Sequence, residues 1–242
     1  MTAQFLVLAK APVPGRVKTR PCPRCTPEQA ARIAAAALAD TIDTVAATPA
    51  ARRTLVLDGD HPRPPGWRIR VQRGGSLGER LANAFADTGC PGVRTVLVGM
   101  DTPQLTPSAL AAAAHLVDAD AMLGPAVDGG WWVLGLRDPT HAEVLADIPT
   151  STATTGADTL EALRRRGLRV ALLPRLVEVT APGTCGWSGP VTIRPPAGTP
   201  STPFRWASVP LPDLAALATA TALRILETWT EADRWFASMR PA

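Results

Sequence analysis

Lysine is nearly absent from this chain. Of its 25 basic residues only two are lysines, Lys10 and Lys18, and all the others are arginines. Such a bias, together with abundant Ala, Pro and Gly, is the mark of a GC-rich genome. Both lysines fall in one short segment, where Lys is expected to be chemically required rather than interchangeable with Arg. Long hydrophobic runs are also missing. Nothing approaches the ~18 apolar residues of a membrane-spanning helix. The N-terminal Phe5–Ala9 run is too short for a signal peptide, has no basic segment before it and runs into Lys10. A soluble, cytoplasmic protein with no membrane partner is the expectation.

Cysteine is sparse. The four cysteines are too few to scaffold 242 residues with disulfides. Cys22 and Cys25 have CxxC spacing, but a zinc ribbon needs a second pair. The flanking Pro21 and Pro23 are unlike a thioredoxin-type turn, so structural thiols are expected rather than a metal or redox site. Neither His61, His115 nor His141 has a partner at ligand spacing. Arg164, Arg165 and Arg166 close a predicted helix, where cations suit the dipole. No nucleic-acid fingerprint accompanies them, so nucleic acid is not expected as a partner.

What is present is an alternation of buried strands and amphipathic helices. Phe5–Leu8, Thr54–Leu57, Ile69–Val71, Thr95–Val98, Ala121–Leu123, Trp132–Leu134 and Val170–Leu173 read as strands. Thr26-Pro27-Glu28-Gln29 opens a helix to about Ala47, and Ser76-Leu77-Gly78-Glu79 is a capping box opening another. Thr106-Pro107 starts a third helix, and residues 156–166 form a fourth. Strands alternating with helices predict a three-layer α/β/α sandwich around a mainly parallel sheet. In such sheets ligands bind at the carboxyl ends of strands, which directs attention to the residues after Leu8, Val98 and Leu123. The texture changes near Pro182. A domain over residues 1–183 is expected, followed over 184–242 by a Pro-rich linker and a long C-terminal helix from Asp213 to Phe236. That helix would pack on the domain or form a homodimer contact.

Three segments can carry chemistry. The first, after strand one, holds Lys10, Gly15, Arg16, Lys18 and Arg20, with no acidic residue from Lys10 to Arg24. If residues 16–20 are extended, Arg16, Lys18 and Arg20 point to one side, an arrangement that suits a di- or triphosphate. Gly15 would let the backbone approach closely. The second is Asp101 in Val98-Gly99-Met100-Asp101-Thr102-Pro103, a carboxylate poised after a buried strand to hold a divalent cation or to start a turn. The third is Asp128 in Asp128-Gly129-Gly130-Trp131-Trp132, which is turn chemistry by default. Its two tryptophans point to opposite faces, so at most one faces a pocket.

Taken in order, Leu8-Ala9-Lys10-Ala11-Pro12-Val13-Pro14-Gly15-Arg16-Val17-Lys18-Thr19-Arg20, Leu77-Gly78-Glu79-Arg80-Leu81 and Gly124-Pro125-Ala126 with Asp128-Gly129-Gly130 resemble a family. It is the GT-A-fold, glycosyltransferase-like group of radical-SAM/selenodomain-associated bacterial transferases, and the match covers about Gln4 to Pro182. More distant relatives are nucleotidyltransferases, including 2-phospholactate guanylyltransferase. The resemblance implies a GT-A (nucleotide-diphospho-sugar transferase-like) enzyme that takes a nucleotide or nucleotide-sugar and a small-molecule acceptor. It implies a nucleotide bound across the first half of the sheet, with Mg²⁺ or Mn²⁺ held at Asp101. Beside that, Lys18 and Asp101 are the candidate catalytic groups and Asp128 the candidate acceptor-side base or second ligand. The chain departs from the family pattern at Gln104, Val127 and Thr180, where acids are common, so a second metal ligand would come from Glu178 or Asp128. Glycosyl transfer is the leading expectation. Nucleotidyl transfer to a small phosphorylated substrate, or an idle nucleotide-binding protein with a degenerate metal site, are the alternatives.

Overall fold

The computed structural model describes residues 3–17, 27–100, 102, 105–115, 118–175, 189–191, 204–206, 223–231 and 234–241. The chain divides into two compact units, one of Met1–Thr19 with Pro27–Thr180, the other of Arg20–Thr26 with Ala181–Ala242.

The first unit is built on β1 (Ala3–Lys10), β2 (Arg52–Asp58), β3 (Arg68–Val71), β4 (Arg94–Gly99), β5 (Ala121–Pro125), β6 (Trp131–Leu136) and β7 (Val170–Leu172). Its helices are α1 (Pro27–Ala46), α2 (Leu77–Thr88), α3 (Pro107–Ala114) and α4 (Thr155–Arg165), with a 3-10 segment at Pro139–Asp147. The strands form one sheet in the order β3-β2-β1-β4-β6-β5-β7. All pairs are parallel except those made by β6, which runs against β4 and β5. This is the mainly parallel α/β sandwich that the alternation predicts. β1, β2 and β4 run one or two residues beyond their predicted carboxyl ends, so Lys10, Asp58 and Gly99 close them, whereas β7 stops one residue short at Leu172.

The period-two pattern of β1 shows why the sheet is covered on both faces. Phe5, Val7 and Ala9 pack with Ala34 and Leu38 of α1 and Leu110 of α3. Leu6 faces the other way, with Leu81 and Phe85 of α2, Leu145 of the 3-10 segment and Leu163 of α4. Trp132 joins the first layer and Trp131 lies against the second, so this pair is core on both sides. Buried Trp132 donates its indole N–H to the Pro174 carbonyl at 3.0 Å.

The capping box of α2 forms as its sequence dictates. Glu79 N–H donates to Ser76 Oγ at 3.1 Å, and the Glu79 carboxylate accepts from the N–H groups of Ser76 (3.0 Å) and Gly75 (2.7 Å). Those backbone donors hold the Glu79 carboxyl below its ordinary value of 4.5. Gly78, one residue into the box, faces the 3-10 segment. A Cβ there would clash with the Leu145 carbonyl oxygen.

In the second unit the expected C-terminal helix does not form over its described residues. β10 (Leu223–Glu231) and β11 (Arg234–Pro241) make an antiparallel pair with an irregularity between Ile225 and Glu227. Ile225, Thr228, Trp229 and Thr230 are strand formers, and they outweigh a helical reading of the leucines. The homodimer contact expected through that helix loses its basis. β8 (Gly189–Val191) and β9 (Phe204–Trp206) form a second short antiparallel pair.

Two outcomes test this account. An Ala in place of Gly in a helix ordinarily stabilises by about 1 kcal/mol, but at position 78 the added methyl strikes backbone. Gly78→Ala is therefore expected to destabilise by about 1–3 kcal/mol in chemical denaturation. Because the Glu79 carboxyl sits below its unfolded value, its contribution is present above pH 4.5 and is lost as pH falls through the lowered folded value. The difference in melting temperature between wild type and Glu79→Gln should shrink over that acidic range and be constant at neutral pH.

Candidate functional site

The chain leaves β1 and pairs first to one side, with β2 and then β3, before returning to the other side of β1 as β4. That reversal leaves a crevice at the carboxyl ends of β1 and β4, where open α/β sheets take their ligands. The cationic segment begins here. Lys10 is the last residue of β1, and its N–H donates to Met100 Sδ just past β4 at 3.4 Å.

A cleft of about 260 Å³ opens at this edge, lined by Lys10, Ala11, Val13, Arg16, Asp58, Gly59 and Asp60. One wall is the β1 loop. Ala11 N–H donates to the Asp58 carbonyl at 2.8 Å, extending the ladder by one rung, and Arg16 N–H then closes a turn onto the Val13 carbonyl at 3.0 Å. Pro14 and Gly15 occupy the centre of that turn, Pro pre-setting its φ and Gly supplying φ +74°. The extended reading of residues 16–20 therefore fails at Arg16, which sits in a turn, and Val17 after it is buried. Gly15 has open space around it, so its role is the positive φ rather than close approach. Close approach belongs instead to Gly59, with φ +99°, where a Cβ would lie 2.8 Å from the Ala11 Cβ.

The other wall follows β2. Asp58, with its side chain about one-third exposed, accepts from Arg80 Nη1 of α2 at 3.0 Å, and Arg80 Nε donates to the Gly74 carbonyl at 3.2 Å. Behind them the Gln72 amide donates to the carbonyls of Ala9 (2.7 Å) and Val56 (3.1 Å), tying the ends of β1 and β2. Lys10 and Arg16 are exposed, and neither forms an ion pair with another described residue.

Of the predicted site residues, Lys10 and Arg16 come together in this cleft, and Gly15 sits in the adjoining turn without lining it. Lys18, Arg20, Asp101 and Glu178 lie outside the described residues, as do Gln104, Thr180 and the Cys22–Cys25 pair. Asp128 is exposed in the β5–β6 turn, on the same edge of the sheet but between two and three strands from β1, a lateral offset of roughly 10–14 Å at ~4.8 Å per strand. Its Oδ1 accepts from Gly130 N–H at 3.0 Å, so part of its acceptor capacity serves the turn. Gly129, at φ +92°, packs on the backbone of Ala153, and Gly156 donates its N–H to the Gly129 carbonyl at 2.8 Å. Among the described residues no group of three or more His, Cys, Asp or Glu side chains could hold a metal ion.

Sequence reasoning missed Asp58, Asp60, Gln72 and Arg80. The signal was available: Asp58-Gly59-Asp60 follows a buried strand just as Asp101 does. Elsewhere the bland readings hold. His115 caps α3, its Nδ1 2.8 Å from the Ala111 carbonyl, and Arg165 and Arg166 pair with Glu161 and Glu143.

Comparison with known proteins agrees with this architecture. A provisionally assigned nucleotide-diphospho-sugar transferase from Desulfovibrio desulfuricans G20 is 29% identical, covering 75% of this chain and 84% of its own, with a TM-score of 0.67. Rv0371c from Mycobacterium tuberculosis H37Rv, in complex with manganese, is 19% identical over 74% of this chain and 92% of its own, with a TM-score of 0.48. The 2-C-methyl-D-erythritol 4-phosphate cytidylyltransferase of Thermus thermophilus is 15% identical over 72% of this chain and 89% of its own, with a TM-score of 0.45. No curated protein matches the sequence. A family model described as "Uncharacterized protein conserved in bacteria (DUF2064)" matches residues 31–152, half of the chain, from α1 through β6 to the approach of α4, and the protein is a member of that family.

Proposed function

We propose that this protein is a transferase that binds an activated nucleotide at the carboxyl edge of β1 and β2 and transfers its glycosyl group to a small acceptor. The observation that carries the reading is the cleft itself. It presents two exposed cations, Lys10 and Arg16, at the carboxyl ends of β1 and β2, on the neighbouring side of β1 from the reversal of strand order, and its wall carboxylate Asp58 is already engaged by Arg80. The likeness to the Desulfovibrio structure supports the nucleotide-sugar class. The sequence motifs favour the glycosyltransferase-like, radical-SAM/selenodomain-associated group over 2-phospholactate guanylyltransferase.

In this reading Lys10 and Arg16, joined by Lys18 and Arg20, neutralise the diphosphate oxygens. A cation about 4 Å from a phosphate near a protein surface is worth about 4 kcal/mol before screening by salt. Asp58 and Asp60 accept hydrogen bonds from hydroxyl or N–H groups of the nucleoside. The acceptor oxygen attacks the anomeric carbon, the bond from that carbon to the diphosphate breaks, and the electron pair leaves with the nucleoside diphosphate. Asp128 takes the acceptor's proton, and its offset from β1 suits the acceptor end of an elongated substrate rather than its phosphates. A divalent cation, held at Asp101 with Asp128 or Glu178, would add charge to the departing diphosphate. Positioning and the fixed cations carry the remainder of the catalysis.

The experiment is a thermal-shift screen of nucleoside diphosphate sugars, nucleoside triphosphates and pyrophosphate, with and without Mn²⁺. Stabilisation by a nucleoside diphosphate sugar, with turnover of that sugar, supports glycosyl transfer. Preference for a triphosphate with pyrophosphate release points to nucleotidyl transfer, and binding indifferent to metal without turnover points to an idle protein. Lys10→Ala or Arg16→Ala should weaken nucleotide binding about tenfold or more, roughly 1.4 kcal/mol. Lys18→Ala should abolish the response, and Asp101→Asn should remove only its dependence on Mn²⁺. A full response in all four variants would move the site elsewhere.

A further inference from the structure

We propose that Arg80 is a positioning residue that withholds the Asp58 carboxylate from Lys10 and so keeps the Lys10 ammonium available to an anionic ligand. Lys10 and Asp58 are register partners across the parallel β1–β2 pair. Both point to the α2 face, since Leu6 and Val56, of the same parity on their strands, pack into the α2-side core. Opposite charges side by side on neighbouring strands attract, and nothing on the strands themselves keeps these two apart. The pair nevertheless does not form. Asp58 Oδ2 is taken by Arg80 Nη1 at 3.0 Å, and Lys10 has no ion-pair partner among the described residues.

Arg80 is built to win this competition. It stands in the first turn of α2, immediately after the capping-box Glu79, with its backbone N–H on the Ser76 carbonyl at 3.1 Å. Its guanidinium is held at a second point by the bond from Nε to the Gly74 carbonyl. A planar fork fixed in this way loses little freedom on meeting a carboxylate, whereas the lysine stem would have to be immobilised to do the same. The other charged groups of the cleft, Arg16 and Asp60, are exposed and have no ion-pair partner among the described residues. The cleft's charges are thereby partitioned: a carboxylate satisfied from behind by Arg80, and cations turned toward whatever enters.

The consequence for ligand binding rests on the function proposed above, but the partition can be tested without any ligand. With only two lysines in the chain, acetylation of Lys10 can be followed by mass spectrometry with Lys18 as internal reference. An ion-paired amine reacts more slowly. Arg80→Gln should slow acetylation of Lys10 several-fold relative to Lys18, the double variant Arg80→Gln with Asp58→Asn should restore the wild-type ratio, and Arg80→Lys should stay near it. An unchanged ratio in Arg80→Gln, or a slowing that Asp58→Asn fails to reverse, overturns the proposal. If Arg80→Gln does not fold, Arg80→Lys against Asp58→Asn decides it: both should keep the wild-type ratio, and a slowing in either overturns it. In a parallel arm, pyrophosphate should lower the absolute rate of Lys10 acetylation in the wild type, measured against the same protein without ligand. Absence of protection alongside the expected variant pattern would sink the anion-binding reading while leaving the partition intact.

Discussion

The first unit depends on the position of β1. It is paired on both edges, with β2 and β4, and buried on both faces, so neither a shift in register nor a change of face is open to it. A one-residue slip would carry Phe5 and Val7 out of the α1–α3 layer and into the layer built by α2 and the 3-10 segment. The carboxyl end of β1 is consequently a fixed point of the sheet. Lys10, the Ala11–Val17 loop and the contact to Met100 take their places from it. A floppy loop would have to be ordered by its ligand at an entropic cost. Here the turn from Val13 to Arg16 and the rung from Ala11 to Asp58 order much of that loop in advance.

Much of this is legible in the residues. Alternation of apolar runs with amphipathic helices dictates the layered architecture, and Ser76 with Glu79 announces the start of α2. The carboxyl-end rule leads to Lys10 and Arg16. What is not legible is of two kinds. Alternate basic residues suggest a strand at Arg16, but Pro14-Gly15 is turn chemistry and prevails over the spacing. Leu223, Ile225, Leu226 and Trp229 fit a helix face about as well as a strand, and periodicity over so short a stretch does not separate the two. The Asp58 wall is hidden for a different reason. Its significance lies in the register with Lys10 and in a partner 22 residues further on, neither of which a linear reading exposes.

The segment from Gly74 to Leu81 shows how closely structural and site duties are interleaved. Gly74, at φ +120°, lets the loop fold tightly over Glu79, and its carbonyl receives Arg80. Gly78 gives the 3-10 segment its close approach, and Leu81 enters the core beneath. Gln72, just upstream, reaches over β2 to β1. One short stretch thus caps a helix, spaces two elements and braces the Asp58 wall of the cleft.

Glu79 and Arg80 are neighbours with separate allegiances. Glu79 turns inward to its own backbone, whereas Arg80 turns outward to a carboxylate in the cleft. Loss of the first side chain would unfasten a helix start, whereas loss of the second would leave the Asp58 carboxylate without its guanidinium beside Lys10 and redistribute the charge of the cleft without touching the core.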